Sequence, residues 1–447
     1  MNTPIVDFVK KYTKNNMSRL HMPGHKGVSF FGVEPFDITE IKGADELFEA
    51  EGIIAESMNN ASLLFDTSKT IYSVGGSTQS IHAMVYLAYI NRQNLNSDYL
   101  LAGRNAHKSL IFAASKIDTN IEWLYPEENY SICDCKITAD DVENYLKNTE
   151  VLPFAVYITS PDYLGNMADI KSISKACRKY HVPLLVDNAH GSYLKFCPTD
   201  MHPIALGADM CCDSAHKTLP ALTGAGYLHI AKSDLYGFSE NSLKAMGIFG
   251  STSPSYIIMQ SLDLCNEYLD SSIRNDIKNT IKKCEKISDA LRKIGVCNVS
   301  EEPLKITCDF RNYYLENLSF ADYFRQNGIE CEYSDNEFVV FMITPQNSDN
   351  DFLKLYNAIM GLKNIKKREI FNFKFVKGEK IISIHNAIFS KCELVNIQDS
   401  VGRICGAPTV SCPPAIPIVI SGEEITKDHL KLFKHYNIEK IMVLKEN

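Results

Sequence analysis

Lys217 stands in "DSAHKTLPALTGAG", Asp213 to Gly226, directly after a Ser-x-His and ahead of two glycines. A lysine there is either a solvated charge or an amine able to carry a carbonyl compound as a Schiff base, and the residues upstream decide between them. Thirty residues earlier the apolar run "PLLVDNAHG" closes on Asp187. A carboxylate at the mouth of a buried strand needs a partner. Taken alone, it is as well explained by a helix cap or a structural arginine. Followed by S-x-H-K at the end of the next strand, it reads as the acid that keeps a pyridine nitrogen protonated opposite a Schiff-base lysine. That pair is what pyridoxal phosphate requires.

Such a cofactor also needs a phosphate site. "VGGSTQSIHAM" offers one: Gly75 and Gly76 permit a tight approach, and Ser77, Thr78 and Gln79 open a helix whose free N–H groups favour an anion. An ordinary glycine turn with a Ser or Thr cap would look the same by itself. Ser214 and His216, just before the lysine, can add donors to the same phosphate. "GRNAHKSL" places His107 after the strand-like "DYLLAG", where an imidazole can stack on a cofactor ring. "SVGGST", "RNAHKS", "VDNAHG" and "DSAHKT" follow one another in the order that a fold-type-I pyridoxal enzyme needs.

The elements that must position these groups are legible in outline. Between about residues 70 and 230, short β-branched runs ("TIYSV", "PFAVYITSP", "VPLLVD") alternate with helical ones ("QSIHAMVYLAYINRQ", "IKSISKACRKYH"). This pattern predicts an α/β fold with a mainly parallel sheet, whose ligand lies beyond the carboxyl ends of the strands. "MNTPIVDFVKKYTKNN" reads as a short amphipathic helix. The stretch from "MQSLDLC" to "ALRKIG" reads as one long helix leading to smaller α+β domains. The predicted organisation is an N-terminal segment with the cofactor-binding large domain over 1–270, a small α+β domain over 271–374, and a C-terminal domain over 375–447.

Composition narrows the function. Forty-six basic against 54 acidic side chains give a net charge of -8, which argues against a nucleic-acid binder working by phosphate neutralisation. No apolar run is long enough to span a membrane, and no secretory leader is evident. Fourteen cysteines form no disulfide or zinc spacing, so no metal is expected and a reducing, cytoplasmic location is.

With "RLHMPGHKG" at residues 19–27, "GSTSPSY" and "CPPAIPIVISGEE", the four motifs resemble the Orn/Lys/Arg decarboxylase family of prokaryotic basic amino-acid decarboxylases. These are pyridoxal-phosphate enzymes of fold type I, the aspartate-aminotransferase-like fold. The chain is similar to the short form, which lacks the N-terminal wing domain of the large members.

The resemblance implies a role for each matching position. Lys217 carries the cofactor, Asp187 pairs with the pyridine nitrogen, and His107 stacks on one ring face with Ala189 against the other. Ser77, Thr78, Ser214 and His216 hold the phosphate, while Ser251 and Thr252 reach the phosphate of a partner subunit. A homodimer with composite active sites follows, or a tetramer built from it. The reaction implied is loss of the α-carboxylate of arginine, lysine or ornithine as CO2, with His216 or Lys217 returning a proton to Cα. The product is an amine of the kind used in polyamine synthesis.

The chain departs from the family pattern at Asn188, where an acidic residue is usual, and at Asp162, near a usual threonine. It departs again at Cys412, Ala415, Gly406 and Ala407 in the C-terminal motifs. The alternative function is therefore the same cofactor acting on a non-basic or modified amino acid, as a decarboxylase, aminotransferase or lyase. Asp45, Glu46 and Glu49 in "KGADELFEAEGII" are the acidic groups considered for a cationic substrate tail, and Arg403 the one for a carboxylate.

Overall fold

The structure, a computed structural model, describes residues 1–15, 17–408 and 414–446. Cys412 lies outside them. Seven strands carry the α/β pattern: β1 (Thr67–Ser73), β2 (Tyr99–Gly103), β3 (Asn120–Leu124), β4 (Val156–Thr159), β5 (Leu184–Asp187), β6 (Met210–Asp213) and β7 (Gly226–Ala231). By its contacts the chain divides into two units, residues 1–95 with 170–277 and residues 96–169 with 278–447.

In the first unit the strand order is β1-β7-β6-β5. β5 and β6 run parallel, with Asp187 opposite Cys212, whereas β7 is antiparallel to both β6 and β1. β5, β6 and β7 are short and buried on both faces, as expected for a covered sheet, whereas β1 exposes Ser68 and Lys69. The N-terminal helix Pro4–Lys14 forms as its amphipathic pattern predicts.

That helix is anchored by one buried carboxylate. Asp263 Oδ2 accepts the N–H groups of Ile5 and Val6, each at 3.0 Å, and Oδ1 accepts the Ser57 hydroxyl at 2.6 Å. Asn266 donates to the Ser57 carbonyl and to Tyr72 Oη, so three helices and β1 share a single polar cluster.

The long helix expected after "GSTSPSY" is in fact two, Tyr256–Ser271 and Ile273–Lys293. The reason is local. Ser271 Oγ turns back onto the carbonyls of Glu267 and Tyr268, at 2.8 and 3.3 Å, and Ser272 ends the first helix. Hydroxyls bonded to the preceding turn compete with the helical ladder and bend it.

In the second unit β4-β2-β3 are parallel. Beside them a four-stranded antiparallel sheet runs in the order Tyr333–Ser334, Phe338–Met342, Lys305–Asp309 and Cys297–Asn298. The C-terminal part adds the hairpin-like pair Cys392–Asn396 and Lys440–Leu444. Ile132, Leu164, Phe338, Val340, Ile418, Phe433 and Val443 share a buried core here.

The turn after β4 holds a second buried carboxylate. Asp162 Oδ1 accepts the N–H groups of Leu164 and Asn166, and Oδ2 accepts Asn166 Nδ2 at 2.7 Å. Lys305 Nζ donates to the Asp162 carbonyl and pairs with Glu302. Burial pushes the Asp162 carboxyl up to about 7, against the opposing pull of Asn166 and Lys305.

Two outcomes follow. Asp263→Ala leaves two amides and a hydroxyl without their acceptor and should cost about 2–4 kcal/mol. Denaturant unfolding and faster proteolysis ahead of residue 53 would register it. For Asp162 the folded pKa lies above the unfolded one, so its favourable contribution is complete below pH ~4 and lost as pH rises through about 7. Asp162→Asn keeps the acceptor oxygen, needs only a flip of the Asn166 amide, and cannot ionise. It should therefore be more stable to denaturant than the native chain at pH 8, by about 1–3 kcal/mol, with a smaller difference at pH 5.

Candidate active site

The site in the first unit is assembled at the ends of β1, β5 and β6. β1 stops at Ser73, and Val74 and Gly75 lead into the helix Gly76–Ile90. Gly76 has a φ of +65°, and its N–H donates to the Gly224 carbonyl at 2.7 Å. Ser73 Oγ reaches the Gly76 carbonyl and Gln79 Oε1, and the Gln79 amide donates to the Met246 carbonyl. The turn is thus fixed from three sides. A Cβ at Gly226 would lie 2.9 Å from the Asp213 carbonyl and 3.3 Å from Ser77 N, so only glycine lets β7 pass this close.

Ser77 and Ser214 meet at 2.8 Å between their hydroxyls, joining the helix start to the end of β6. Thr78 is exposed on the first turn. His216 lies on the same side: its Cε1 is 3.8 Å from where a Cβ on Gly76 would be. Its Nδ1–H donates to the Ala225 carbonyl at 2.8 Å, which fixes the ring's orientation and leaves Nε2 as the other ring nitrogen.

Asp187 closes β5 and is buried. Its Oδ1 accepts the Ala189 N–H at 3.2 Å and the Cys212 thiol at 3.5 Å. Burial pushes the Cys212 thiol well up, so it stays protonated and can only donate. Lys217 follows β6 in the short helix Ala215–Thr218, and its Nζ meets His190 Nε2 at 3.0 Å. His190 is a neighbour of the lysine that sequence reasoning did not single out. The signal was present: it is the histidine of "VDNAHG", three residues after Asp187.

His107 belongs to the second unit. It caps the helix Lys108–Lys116, its Nδ1 accepting the Ser109 N–H at 3.1 Å and facing Ser109 Oγ at 2.8 Å. The half-buried ring therefore carries its proton on Nε2 when neutral. The turn is braced by the C-terminal section. Lys108 N–H donates to the Ala415 carbonyl, and the buried Arg104 donates to that of Ile418, both at 2.9 Å.

Ser251 and Thr252 lie in the exposed loop ahead of the helix Tyr256–Ser271, directly after Gly250, where a Cβ would come within 2.5 Å of Gln79 Nε2. Asp45 accepts five backbone N–H groups between Glu46 and Ala55, capping the helix Ile53–Phe65. Although burial opposes it, this bonding holds its carboxyl below the usual range, which makes it a structural anion. Arg403 is likewise engaged, with Glu393, Glu446 and the Leu444 carbonyl.

The donors fit pyridoxal phosphate. A helix start, two hydroxyls and an imidazole suit a phosphate, and a cradle without Cβ atoms at Gly76 and Gly226 gives it room. A buried carboxylate suits a pyridinium, and a half-buried lysine suits an aldehyde. Fold and site define a fold-type-I pyridoxal-phosphate enzyme.

Comparison with known proteins narrows this. Residues 3–306 match the Orn/Lys/Arg decarboxylase major domain and residues 382–440 the C-terminal domain of the same family. The chain belongs to that family of basic amino-acid decarboxylases. It is 26% identical to an arginine decarboxylase of Bacillus anthracis, covering 97% of this chain and 92% of the relative. The arginine decarboxylase of Halalkalibacterium halodurans is 27% identical, with 97% and 93% covered. The lysine decarboxylase of Francisella novicida shares the fold with a TM-score of 0.79 at 17% identity, over 99% of this chain and 81% of that one.

The close approach of β7 to the turn yields an expectation. Gly226→Ala must separate the Asp213 carbonyl from Ser77 N, neither of which is a flexible side-chain end. The Kd for pyridoxal phosphate, followed by absorbance, should rise at least about tenfold, and the unfolding temperature should fall, since overpacking costs ~1–3 kcal/mol.

Proposed function

We propose that this chain decarboxylates a basic amino acid, arginine first, with pyridoxal phosphate held by Lys217. The observation that carries the assignment is the arrangement at the tips of two parallel strands. Buried Asp187 ends β5, Lys217 follows β6, and the Ser77–Ser214 pair lies beside them at a helix start. When bound, pyridoxal phosphate supplies an electron sink conjugated to the substrate Cα, so that the bond to the carboxylate can break with loss of CO2.

Asp187 would keep the pyridine nitrogen charged, with Cys212 and the Ala189 amide orienting its carboxylate. Ser77, Thr78, Ser214 and His216 would bind the phosphate, the His216 ring oriented by the Ala225 carbonyl. Ala189 would pack against one face of the ring. Lys217 and His190 share a hydrogen bond, so a proton can pass between them. This supports Lys217, backed by His190, as the acid that serves Cα in preference to His216.

The assembly proposed is a homodimer. Phe30 and Phe31 are 77% and 92% exposed in one chain, and the N–H groups of Phe30, Phe31 and Gly32 are all tied to the Glu34 carboxylate. A loop built to present two phenylalanines, with Leu20 and Met22 exposed nearby in sequence, is suited to cover by a second copy. Exposed Ser251 and Thr252 would then reach the phosphate held by the partner subunit. A cytoplasmic location is supported by thirteen described cysteines, all free, and no described helix is long and apolar enough to cross a membrane.

The test is paired. Native protein with pyridoxal phosphate should show the visible band of a lysine-bound cofactor, and Lys217→Ala should lose it. Assays with arginine, lysine and ornithine should give CO2 and the matching amine from at least one. A band without CO2 from any of the three would move the assignment to a non-basic substrate or to other Cα chemistry. No band in the native protein would remove the enzyme reading.

A further inference from the structure

Beyond the strand tips, the hydrogen-bond ladder of β5 and β6 is continued by side chains. Asn188 N–H still donates to the Cys212 carbonyl at 3.0 Å. After that rung Asn188 Nδ2 donates to Asp213 Oδ1 at 2.6 Å. Both residues are fully buried. Asp213 Oδ2 lies 3.2 Å from both His202 Nε2 and His229 Nε2, and both rings are fully buried. His229 Nδ1 faces the Thr70 hydroxyl at 2.9 Å, which in turn meets Thr67 Oγ1. Phe65 packs over His229 with ring centroids 4.4 Å apart.

Burial works against an ionised Asp213, but the two imidazoles outweigh it and hold the carboxyl well below the usual range. His229 is itself pushed down by burial and stays neutral, so its Nε2–H donates to the carboxylate while Nδ1 accepts from Thr70. Three N–H groups thus satisfy a buried anion, the condition under which such a charge is tolerated.

His202, Cys211 and Asp213 also bring three ligand atoms within 4.8 Å of one another. The hydrogen-bonded reading is preferred because Asp213 turns to His229 and Asn188, which lie outside that trio.

We propose that Asp213 and Asn188 form a positioning pair, a side-chain rung that locks the strand tip carrying Asp187 to the strand tip carrying Ser214 and Lys217. The inference rests on the cofactor assignment above. Neither residue is placed in contact with substrate. Their effect is on the separation of the pyridine-pairing acid from the cofactor-bearing lysine. The anion of the pair is on β6, where two buried histidines receive it.

The test uses native holoenzyme, Asn188→Ala, Asp213→Asn and the exchange variant Asn188→Asp/Asp213→Asn. Asn188→Ala cuts the rung yet leaves the anion with both histidines. Release of pyridoxal phosphate on dilution should be at least about tenfold faster, and kcat about tenfold lower, while KM for the amino acid changes less than about threefold. The cofactor-free variant should unfold within a few degrees of the cofactor-free native chain. The exchange variant restores one carboxylate and one amide across the rung, and should hold its cofactor better than Asp213→Asn alone.

Asn188→Ala with native release rate and kcat would overturn the proposal. So would an exchange variant that loses cofactor as fast as Asp213→Asn, because placement of charge and not the rung would then matter. A stoichiometric metal ion in the native protein would overturn it in favour of ligation by His202, Cys211 and Asp213. Native protein that takes up no pyridoxal phosphate would instead sink the functional assignment itself, a result distinct from all of these.

Discussion

A carboxylate with no water around it organises the first unit. Asp213 is the last residue of β6, and everything that gives β6 a chemical purpose follows within four residues. An ion in such a place is stable only when donors surround it, and here the donors come from three directions: β7 through His229, the turn before the helix Pro203–Leu206 through His202, and β5 through Asn188. Satisfying one charge therefore fixes three elements against a fourth. The Ser77–Ser214 contact and the clearance at Gly226 inherit that fixity, because both are measured from the same strand end.

The second unit solves a smaller problem by similar means. The turn carrying His107 would be a free loop if it depended on its own sequence. Instead its backbone is hydrogen-bonded to Ala415, and Arg104 reaches the Ile418 carbonyl. The "PAIPIV" stretch, more than three hundred residues further along, is a brace for an imidazole. This gives the C-terminal motif a physical role that does not require it to touch substrate, and it explains how Ala415 can hold φ at +56° while offering its carbonyl to Lys108.

The groups that were legible in the sequence are those whose chemistry and position are set within a few residues. Lys217, Asp187 and the "VGGST" turn announce themselves because a strand end, a glycine pair and a charged side chain occur together. What escaped was long-range. His190 lies inside a quoted motif, but its meeting with Lys217 depends on two separate turns converging. The break at Ser271 and Ser272 escaped because an amphipathic period continues across it, and only hydroxyls folded back on the helix interrupt the ladder. Asp45 looked like a group for a cationic substrate because acidity is visible in a sequence and five backbone donors are not.

The same distinction separates cofactor from substrate. A cofactor presents constant charges, a phosphate and a pyridinium, and the groups proposed for it sit at strand ends and a helix start, so residue types and order suffice to nominate them. A substrate tail is read by whatever side chains project into the entrance, and nothing in local spacing marks them. Of the acidic and basic groups singled out for that role, Asp45 caps a helix and Arg403 is spent on two carboxylates and a carbonyl. Glu46 and Glu49 are exposed, and nothing among the described residues holds them for that role. In the homodimer proposed above, the entrance would be shaped by two chains, and substrate choice would then be a property of the assembled protein.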